Sequence, residues 1–352
     1  MRNRLIATTA VGGLALAAAV PAMASLGGGA TFPNLAYSAW CQNSHLCSYA
    51  SVGSGAGITG FINGTYDWSA SDAPLAATDI ANLNSKDPGQ GVKYQATLLG
   101  GIAVPTHING VNKTLNLTGG TLAGIFDGSI TKWNSKSILA SNPHVALPNA
   151  TIIECVRSDS SGTSYNFTNF LSKNSSTFKR VVGITKTPSW SGTVQKGLKN
   201  PGVAQCVQSN NDSIGYVDLG DGINAGLTHF AKIGHTYKVG KKTAIQYVAP
   251  GAASIQAAGN SSKLNVTNAT ALQLALLSST NKNAYPITIT TFVLAYSKYT
   301  VAPANSAKLS AVKAFLNYAY SAGGQNQLAQ FHFVKLPAAL LKLEKKQLAG
   351  LH

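Results

Sequence analysis

One stretch near the middle of the chain, residues 157–163 with the sequence RSDSSGT, combines a cation with hydroxyl groups and a glycine. Largely apolar residues 152–156 precede it, and Phe167, Phe170 and Leu171 follow at helical spacing. This pattern predicts a strand, a turn and the start of a helix. Free N–H groups at a helix start, together with a guanidinium, suit a bound oxyanion. The stretch alone also allows an ordinary helix cap beside a solvated Arg–Asp pair.

Two earlier turns of small residues also lead into predicted helices. Residues 27–33 have the sequence GGGATFP and precede a helix that is entered near Pro33. Residues 53–57, with the sequence GSGAG, precede a helical segment at 58–62. Glycines allow the backbone to approach a ligand closely. The glycine spacing is wrong for a dinucleotide-binding fingerprint, and no acidic residue lies at the ribose-binding distance.

Asp72 lies at the end of a predicted short strand that starts at Asp67, and it is one of only eleven acidic residues in the chain. A carboxylate repels an ionised anion, but it can accept a hydrogen bond from an anion that carries a proton. Such a group would reject a fully ionised competitor. The spacing equally allows Asp72 to cap the helix that follows.

The composition is that of a globular protein with an unusual charge balance. Of the 352 residues, 45% are hydrophobic and only 11% are charged, while the net charge is +16. This length is enough for two domains. The lysines are scattered and no run interleaves them with aromatic residues, so we do not expect the chain to bind nucleic acid. A positive field would draw a small anion toward a cleft.

The N-terminus predicts export. Arg2 and Arg4 precede an apolar run over residues 5–20, and small residues follow, as in a secretory signal peptide at 1–24 that is cleaved after Ala24. A membrane anchor is the weaker alternative, because the run is short and rich in alanine and glycine. The next residue, Ser25, is not the cysteine of a lipoprotein. We therefore expect a periplasmic protein, with secretion as the alternative.

Four cysteines in an exported chain favour disulfides. Of the three possible connectivities we prefer Cys41–Cys47, which closes a short loop, and Cys155–Cys206, which ties the central strand to a later segment. A zinc site is disfavoured, because the cysteine spacing is not that of a zinc knuckle and the histidines do not cluster nearby. The sequence predicts neither a metal site nor a cofactor.

The later segments predict further strands and helices by their apolar periodicity. The predicted strands are 95–104, 212–218 and 286–296, and the predicted helices are 267–277, 307–320 and 337–351.

Six short motifs, taken together and in order, resemble the periplasmic phosphate-binding protein of the high-affinity phosphate ABC transporter. The similarity runs from Gly28 to about Leu336. The motifs are GATFP at 29–33, VGSG at 52–55, ASDAPL at 70–75, RSDSSGT at 157–163, IGYV at 214–217 and TTFVL at 290–294.

The resemblance implies the α/β, two-lobed periplasmic-binding-protein fold of type II, in which each lobe is a mixed sheet flanked by helices and a two-strand hinge joins the lobes. Mapped onto this chain, lobe one is residues 25–106 plus 287–352, and lobe two is residues 107–286. The hinge crossings are expected near 105–107 and 286–288.

The resemblance also implies a set of ligand-binding residues. Asp72 would accept the proton of bound phosphate, and Asp159 would orient Arg157 through a salt bridge. Ser160 stands where the family usually has glycine, and residues 196–202 follow the family's loop only loosely, so that loop is left out of the set. The expected ligand residues are Thr31, Phe32, Ser54, Asp72, Arg157, Ser161, Gly162 and Thr163.

The function implied is that of a monomeric receptor, not an enzyme, which binds inorganic phosphate and delivers it to the permease subunits of an ABC transporter. A secreted phosphatase that uses a serine such as Ser161 or Ser54 is one alternative, although no spacing of Asp and His typical of a metal cluster is present. The same fold with another protonated oxyanion, such as arsenate, is the other alternative.

Overall fold

The computed structural model describes residues 24–260, 264 and 268–352. The predicted signal peptide therefore lies outside the described residues, apart from its last position. The strands in chain order are β1 Ser25–Gly29, β2 Cys47–Ser51, β3 Trp68–Ser71, β4 Val92–Ala103, β5 Thr106–His107, β6 Asn116–Leu117, β7 Ile153–Arg157, β8 Thr193–Gly197, β9 Ser213–Gly215, β10 Val217–Asp218, β11 Lys232–Val239, β12 Lys242–Val248 and β13 Thr288–Tyr296.

Helices flank the strands. The helices in chain order are α1 Asn34–Ser44, α2 Ser54–Ile62, α3 Ala77–Lys86, α4 Gly119–Phe126, α5 Lys136–Ser141, α6 Gly162–Asn174, α7 Ser176–Val181, α8 Lys199–Ser209, α9 Leu219–Asn224, α10 Ala252–Gly259, α11 Ala269–Leu276, α12 Ser306–Ala319, α13 Ala322–Gln327 and α14 Ala338–Ala349, with a 3₁₀ turn at Leu328–Phe331. Within the part of the chain that the structure describes, none of the helices has the length and apolar character needed to traverse a bilayer.

The strands form three sheets. One has six strands in the order β10-β4-β13-β3-β1-β2, one has four in the order β5-β9-β7-β8, and one has three in the order β12-β11-β6. In the six-stranded sheet β1 pairs in parallel with β2 and β3, whereas β13 runs antiparallel to β3 and β4. The mixed α/β fold expected from the resemblance is thereby confirmed.

The two longest strands, β4 and β13, are neighbours inside the six-stranded sheet, and both of their faces are covered. Every residue of β13 is buried, and so is every residue of β4 from Gln95 onward. A strand that is buried on both faces reads as a continuous apolar run, which is why these two strands were visible in the sequence. The predicted strands 95–104 and 286–296 are confirmed as β4 and β13.

Among the described residues, the backbone passes directly between the six-stranded and the four-stranded sheet at two short segments. After β4, residues 104–105 lead into β5, which belongs to the four-stranded sheet. In the opposite direction, Tyr216 separates β9 in the four-stranded sheet from β10, which pairs with β4. The prediction of one strand over 212–218 is therefore wrong. Alternating apolar residues cannot show that the two halves of a strand pair with different sheets.

The division of the chain into lobes stays a prediction. Helices α10 and α11, which the sequence assigns to lobe two, contact strands of the six-stranded sheet. For example, the side chain of Gln273 in α11 donates a hydrogen bond to the carbonyl of Thr290 in β13 at 2.7 Å. The segment before β13 is therefore attached to the six-stranded sheet upstream of residue 287.

Two disulfides are present, and they are the two that the sequence favours. Cys41–Cys47 joins the end of α1 to the start of β2, and Cys155–Cys206 joins β7 to α8. Their sequence separations are 6 and 51 residues. Because a disulfide restricts the unfolded chain more when it closes a longer loop, the second bond restricts the unfolded state more strongly.

We predict that replacing Cys155 and Cys206 by alanine lowers the free energy of unfolding by about 2 kcal/mol more than replacing Cys41 and Cys47 by alanine, as loop-closure entropy requires. Urea unfolding of the two double variants beside the unmodified protein measures the difference. An equal loss in both variants, or a larger loss for Cys41–Cys47, would contradict it.

Two carboxyl groups are buried away from the cleft. Burial raises the pKa of Glu154 in β7 to about 7, with the neighbouring charge of Asp127 adding to the effect. Burial raises the pKa of Glu344 in α14 to about 8, against a backbone hydrogen bond from Ala96 that lowers it. In both cases one carboxyl oxygen has no hydrogen-bond partner among the described residues. The folded protein therefore holds these protons more tightly than the unfolded chain does.

We predict that the free energy of unfolding falls as pH rises from about 4.5 to about 8, because a raised pKa means that the folded state binds more protons across that window. One such group contributes a slope of at most about 1.4 kcal/mol per pH unit. Glu344→Gln should flatten the slope up to pH 8, and Glu154→Gln should flatten it up to pH 7. Denaturant unfolding at a series of pH values measures it, and a slope that both substitutions leave unchanged would refute it.

Candidate functional site

The starts of α2 and α6 face each other between the six-stranded and four-stranded sheets. The backbone N–H of Gly162 donates to the hydroxyl of Ser54 at 3.0 Å. The backbone N–H of Gly55 donates to the carbonyl of Ser160 at 3.0 Å. Two of the small-residue turns, whose bonded residues Ser54 and Gly162 are 108 positions apart in the sequence, thus meet in one cleft.

Glycine is required where the backbone segments approach most closely. A Cβ atom on Gly162 would lie 2.5 Å from the Ser54 hydroxyl oxygen and 2.7 Å from Cβ of Asp72. Gly53, just before α2, has φ 91° and lies against the Asp159 carboxylate. Ser160 does not have a positive φ. A serine is therefore not strained at this position, where the family usually has glycine.

The guanidinium of Arg157 is fixed at the end of β7 by several acceptors. Its Nε donates to Oδ1 of Asp159 at 2.8 Å, and a second nitrogen donates to Oδ2 of the same carboxylate. Its Nη1 donates to the amide oxygen of Asn200 at 2.8 Å and lies 3.4 Å from the Thr163 hydroxyl. The side chain of Arg157 is only 1% exposed and that of Asp159 14%, so the alternative of a solvated pair is wrong.

Asp159 is held in its ionised form by this pairing. Burial by itself would raise the pKa of Asp159, but the hydrogen bond and charge of Arg157 bring that pKa below its ordinary value. The backbone N–H of Lys199 also donates to Oδ1 of Asp159, at 3.1 Å. A bidentate contact leaves the guanidinium little rotational freedom, as expected for a residue that orients Arg157.

Asn200 contacts Arg157 but was not among the residues predicted from the sequence. Its amide nitrogen donates to Oδ2 of Asp218 at 3.1 Å, while its oxygen accepts from Arg157. Burial and the adjacent carboxyl of Asp221 raise the pKa of Asp218 well above its ordinary value. Asn200 lies in the loop 196–202, which could have indicated its role. Because this loop follows the family pattern only loosely, it was left out of the predicted ligand residues.

Asp72 lies on the opposite side of the cleft, just after β3. Its Oδ1 accepts a hydrogen bond from the Thr291 hydroxyl at 2.6 Å. Its backbone carbonyl accepts from the side-chain amides of Asn166 and Gln273, both at 2.7 Å. Helix α3 begins at Ala77, five positions further on, so the alternative of Asp72 as the cap of that helix is wrong.

Opposing influences set the protonation of Asp72. Burial raises its pKa from 3.8 to about 7, while the hydrogen bond from Thr291 and the charge of Arg157 act to lower it. The carboxyl group therefore changes its charge close to neutral pH. A group poised in this way can either donate or accept a proton in a hydrogen bond.

The remaining predicted residues lie at the starts of α1 and α6. Ser161 caps α6, and its hydroxyl oxygen accepts from the backbone N–H of Ser164 at 3.1 Å. Thr31, just before α1, is buried, and its hydroxyl has no hydrogen-bond partner among the residues described. The ring of Phe32 packs against that of Phe333 in the core, with ring centroids 5.5 Å apart. Buried hydroxyls are seldom left unpaired, so Thr31 is a candidate ligand contact.

Further contacts hold the two sides of the cleft together. Lys186, whose carbonyl accepts from the N–H of Ser161, forms an ion pair with Asp79 of α3 at 3.1 Å. The amide of Asn166 in α6 reaches the carbonyl of Asp72. The cleft is therefore closed around its polar groups.

We predict that Thr291→Val raises the pKa of Asp72 above about 7, because the hydrogen bond from Thr291 favours the charged carboxylate. Thr290→Val is the matched control, since the Thr290 hydroxyl donates to the carbonyl of Leu98 instead. Carboxyl carbon resonances followed by NMR across a pH titration report the pKa. An Asp72 titration that both variants leave equally unchanged would refute the prediction.

Comparison with known proteins identifies similar chains. Residues 26–322 match the family model described as a PBP superfamily domain. Phosphate-binding protein PstS of Xylella fastidiosa strain Temecula1 is 33% identical over 322 residues, which cover 90% of this chain and 82% of the relative. Phosphate-binding protein PstS of Haemophilus influenzae is 34% identical over 327 residues, with 91% of each chain covered.

Solved structures agree with this chain in fold. A high-affinity periplasmic phosphate-binding protein called PfluDING, solved with bound phosphate, matches with a TM-score of 0.70 at 23% identity, over 92% of this chain and 93% of that one. A phosphate-binding protein from Stenotrophomonas maltophilia matches with a TM-score of 0.68 at 20% identity, over 92% and 94% of the two chains.

Proposed function

This chain belongs to the PBP superfamily and, within it, to the PstS phosphate-binding proteins, and from that premise we propose that it binds inorganic phosphate in the cleft and delivers it to a membrane ABC permease. We propose further that it works as a monomer in the periplasm, after cleavage of the signal peptide at residue 24. Its partners are then the permease subunits, and the chain itself performs no chemical step.

One observation carries the proposal: a fixed guanidinium, two helix starts and a buried, titratable carboxyl group meet in one cleft. Arg157 supplies charge and paired donors. The starts of α2 and α6 supply N–H groups and the positive ends of helix dipoles. Asp72 supplies a proton acceptor on the opposite side.

Phosphate would be bound by the residues of both sides. The Ser54 hydroxyl oxygen accepts from the N–H of Gly162 across the cleft, so the Ser54 hydroxyl keeps its own hydrogen free to donate to an anion. The N–H of Gly162 would donate to the anion in place of the Ser54 oxygen. Thr31 would find in the same anion the acceptor that its hydroxyl lacks among the described residues. The proposed ligand set is Thr31, Phe32 through its backbone N–H, Ser54, Asp72, Arg157, Ser161, Gly162 and Thr163.

The carboxyl group of Asp72 provides selectivity. Phosphate carries a proton near neutral pH and can donate it to a carboxylate, whereas sulfate carries none. Sulfate would leave the ionised carboxylate facing a second negative charge in a site shielded from water. Arsenate is protonated as phosphate is, so we expect arsenate to bind as well.

Titration calorimetry of the ligand-free protein with phosphate, arsenate and sulfate tests the function. We expect phosphate to bind with a dissociation constant of about 1 μM or below, which is about −8 kcal/mol or stronger. Sulfate should bind at least about a hundredfold more weakly, a difference of about 2.7 kcal/mol. Equal affinities for phosphate and sulfate would overturn the proposal. Turnover of a chromogenic phosphate ester that is lost in Ser161→Ala would instead favour a phosphatase.

The role of Asp72 is tested separately. We predict that Asp72→Asn reduces the discrimination between phosphate and sulfate by at least about tenfold, because an amide no longer repels an unprotonated anion. Asp127→Asn is the control, since Asp127 follows α4 and hydrogen-bonds locally to Ser129. If Asp72→Asn left the ratio of the two affinities unchanged, the carboxyl group would have no part in selectivity.

A further inference from the structure

A second pocket, with a volume of about 460 Å³, lies at the far end of α6 from the cleft. Its walls are the last turn of α6, residues 234–238 of β11, residues 277–280 after α11, and Pro286. Helix α6 runs from Gly162 at the cleft to Asn174 at this pocket. At 1.5 Å per residue the two ends of this helix are about 18 Å apart along its axis, so the pocket is separate from the proposed phosphate site.

His235 of β11 is one of the residues that line this pocket, and one of its ring nitrogens is buried without a partner among the described residues. The residue is only 7% exposed, and its Nε2 has no hydrogen-bond partner among the residues that the structure describes. Burial lowers the pKa of His235, and the charge of the nearby Lys173 lowers it further. The ring is therefore neutral at neutral pH, and a buried polar nitrogen of this kind calls for a partner.

The charge of the lining is entirely positive. Lys173 of α6 donates through Nζ to the carbonyl of Leu277 at 3.0 Å and to the hydroxyl of Ser278 at 2.6 Å. Lys238 of β11 is the second cation. Among the described residues that line the pocket, none carries a carboxylate. An ammonium group that bonds only neutral oxygens keeps its charge available for an anion.

The rest of the wall is apolar. Phe170 and Leu277 are 3% and 5% exposed, and Pro286 closes the same side. A volume of this size lies within the range of small-molecule sites, which combine apolar walls with a few placed polar groups. An inorganic anion alone would leave most of the apolar wall uncovered.

We propose that this pocket binds a small organic anion, whose acid group contacts Lys173 and the Nε2 of His235 and whose apolar body packs on Phe170 and Leu277. The recognition chemistry is that of an aromatic or short aliphatic carboxylate. The inference does not depend on the ligand of the cleft.

Benzoate is the probe, and the protein is kept saturated with inorganic phosphate so that the cleft does not respond. We expect millimolar benzoate to shift the ring resonances of His235 in NMR spectra and to give nuclear Overhauser contacts to the Phe170 ring. Benzyl alcohol, which has the same ring without the charge, should bind at least about tenfold more weakly. Equal binding of the two, or no shift at His235 with benzoate, would overturn the proposal.

The residue assignment is tested with variants. Lys173→Met keeps the aliphatic stem and removes the charge, and we expect it to weaken benzoate binding by about tenfold. His235→Gln should weaken it as well, while phosphate binding in the cleft is retained. Lys179→Met, on the neighbouring helix α7, is the matched control and should bind benzoate normally. If Lys173→Met and His235→Gln both bound benzoate as the unmodified protein and the control do, the site assignment would be wrong.

Discussion

The burial of one guanidinium constrains the whole cleft. A cation removed from water is costly unless charges and hydrogen bonds surround it. Arg157 meets this requirement through Asp159 and Asn200, which lie two and forty-three positions away in sequence. These contacts require that the end of β7 and the starts of α6 and α8 lie at the same place. The N–H groups at the start of α6 are thereby positioned beside a fixed positive charge, which is the arrangement an oxyanion requires.

The opposite side of the cleft is built on a carboxyl group whose charge is finely balanced. Burial favours the neutral form of Asp72, whereas the Thr291 hydroxyl and the charge of Arg157 favour the ionised form. Burial is the largest of these influences, so the pKa of Asp72 lies near 7, well above its ordinary value of 3.8, although Thr291 and Arg157 lower it. Selectivity for a protonated anion and a cost in stability therefore have the same origin, since an acid with a raised pKa weakens the folded state as the pH rises.

Basic residues outnumber acidic residues over the whole molecule. The chain carries 27 basic and 11 acidic residues. Six of the acidic residues are held in the interior or in the Arg157 pair, namely Asp72, Glu154, Asp159, Asp218, Asp221 and Glu344. Few carboxylates are left to balance the surface cations, so the field outside the protein is positive. Such a field raises the rate at which anions reach a cleft, and it becomes weaker as the salt concentration increases.

Local pattern alone determined the strand, turn and helix around residues 157–163 and the glycine turns before α1 and α2, because these depend on neighbours a few positions apart. The salt bridge between Asp159 and Arg157 came from the resemblance, since the local pattern also allowed a solvated pair. The resemblance supplied the remaining ligand residues. Only the tertiary structure revealed that Thr291 and Gln273 hold Asp72, that Asn200 links Arg157 to Asp218, and that Tyr216 separates strands of two sheets. Contacts across some two hundred positions, and the burial that moves a pKa, arise from packing, and no short sequence pattern encodes them.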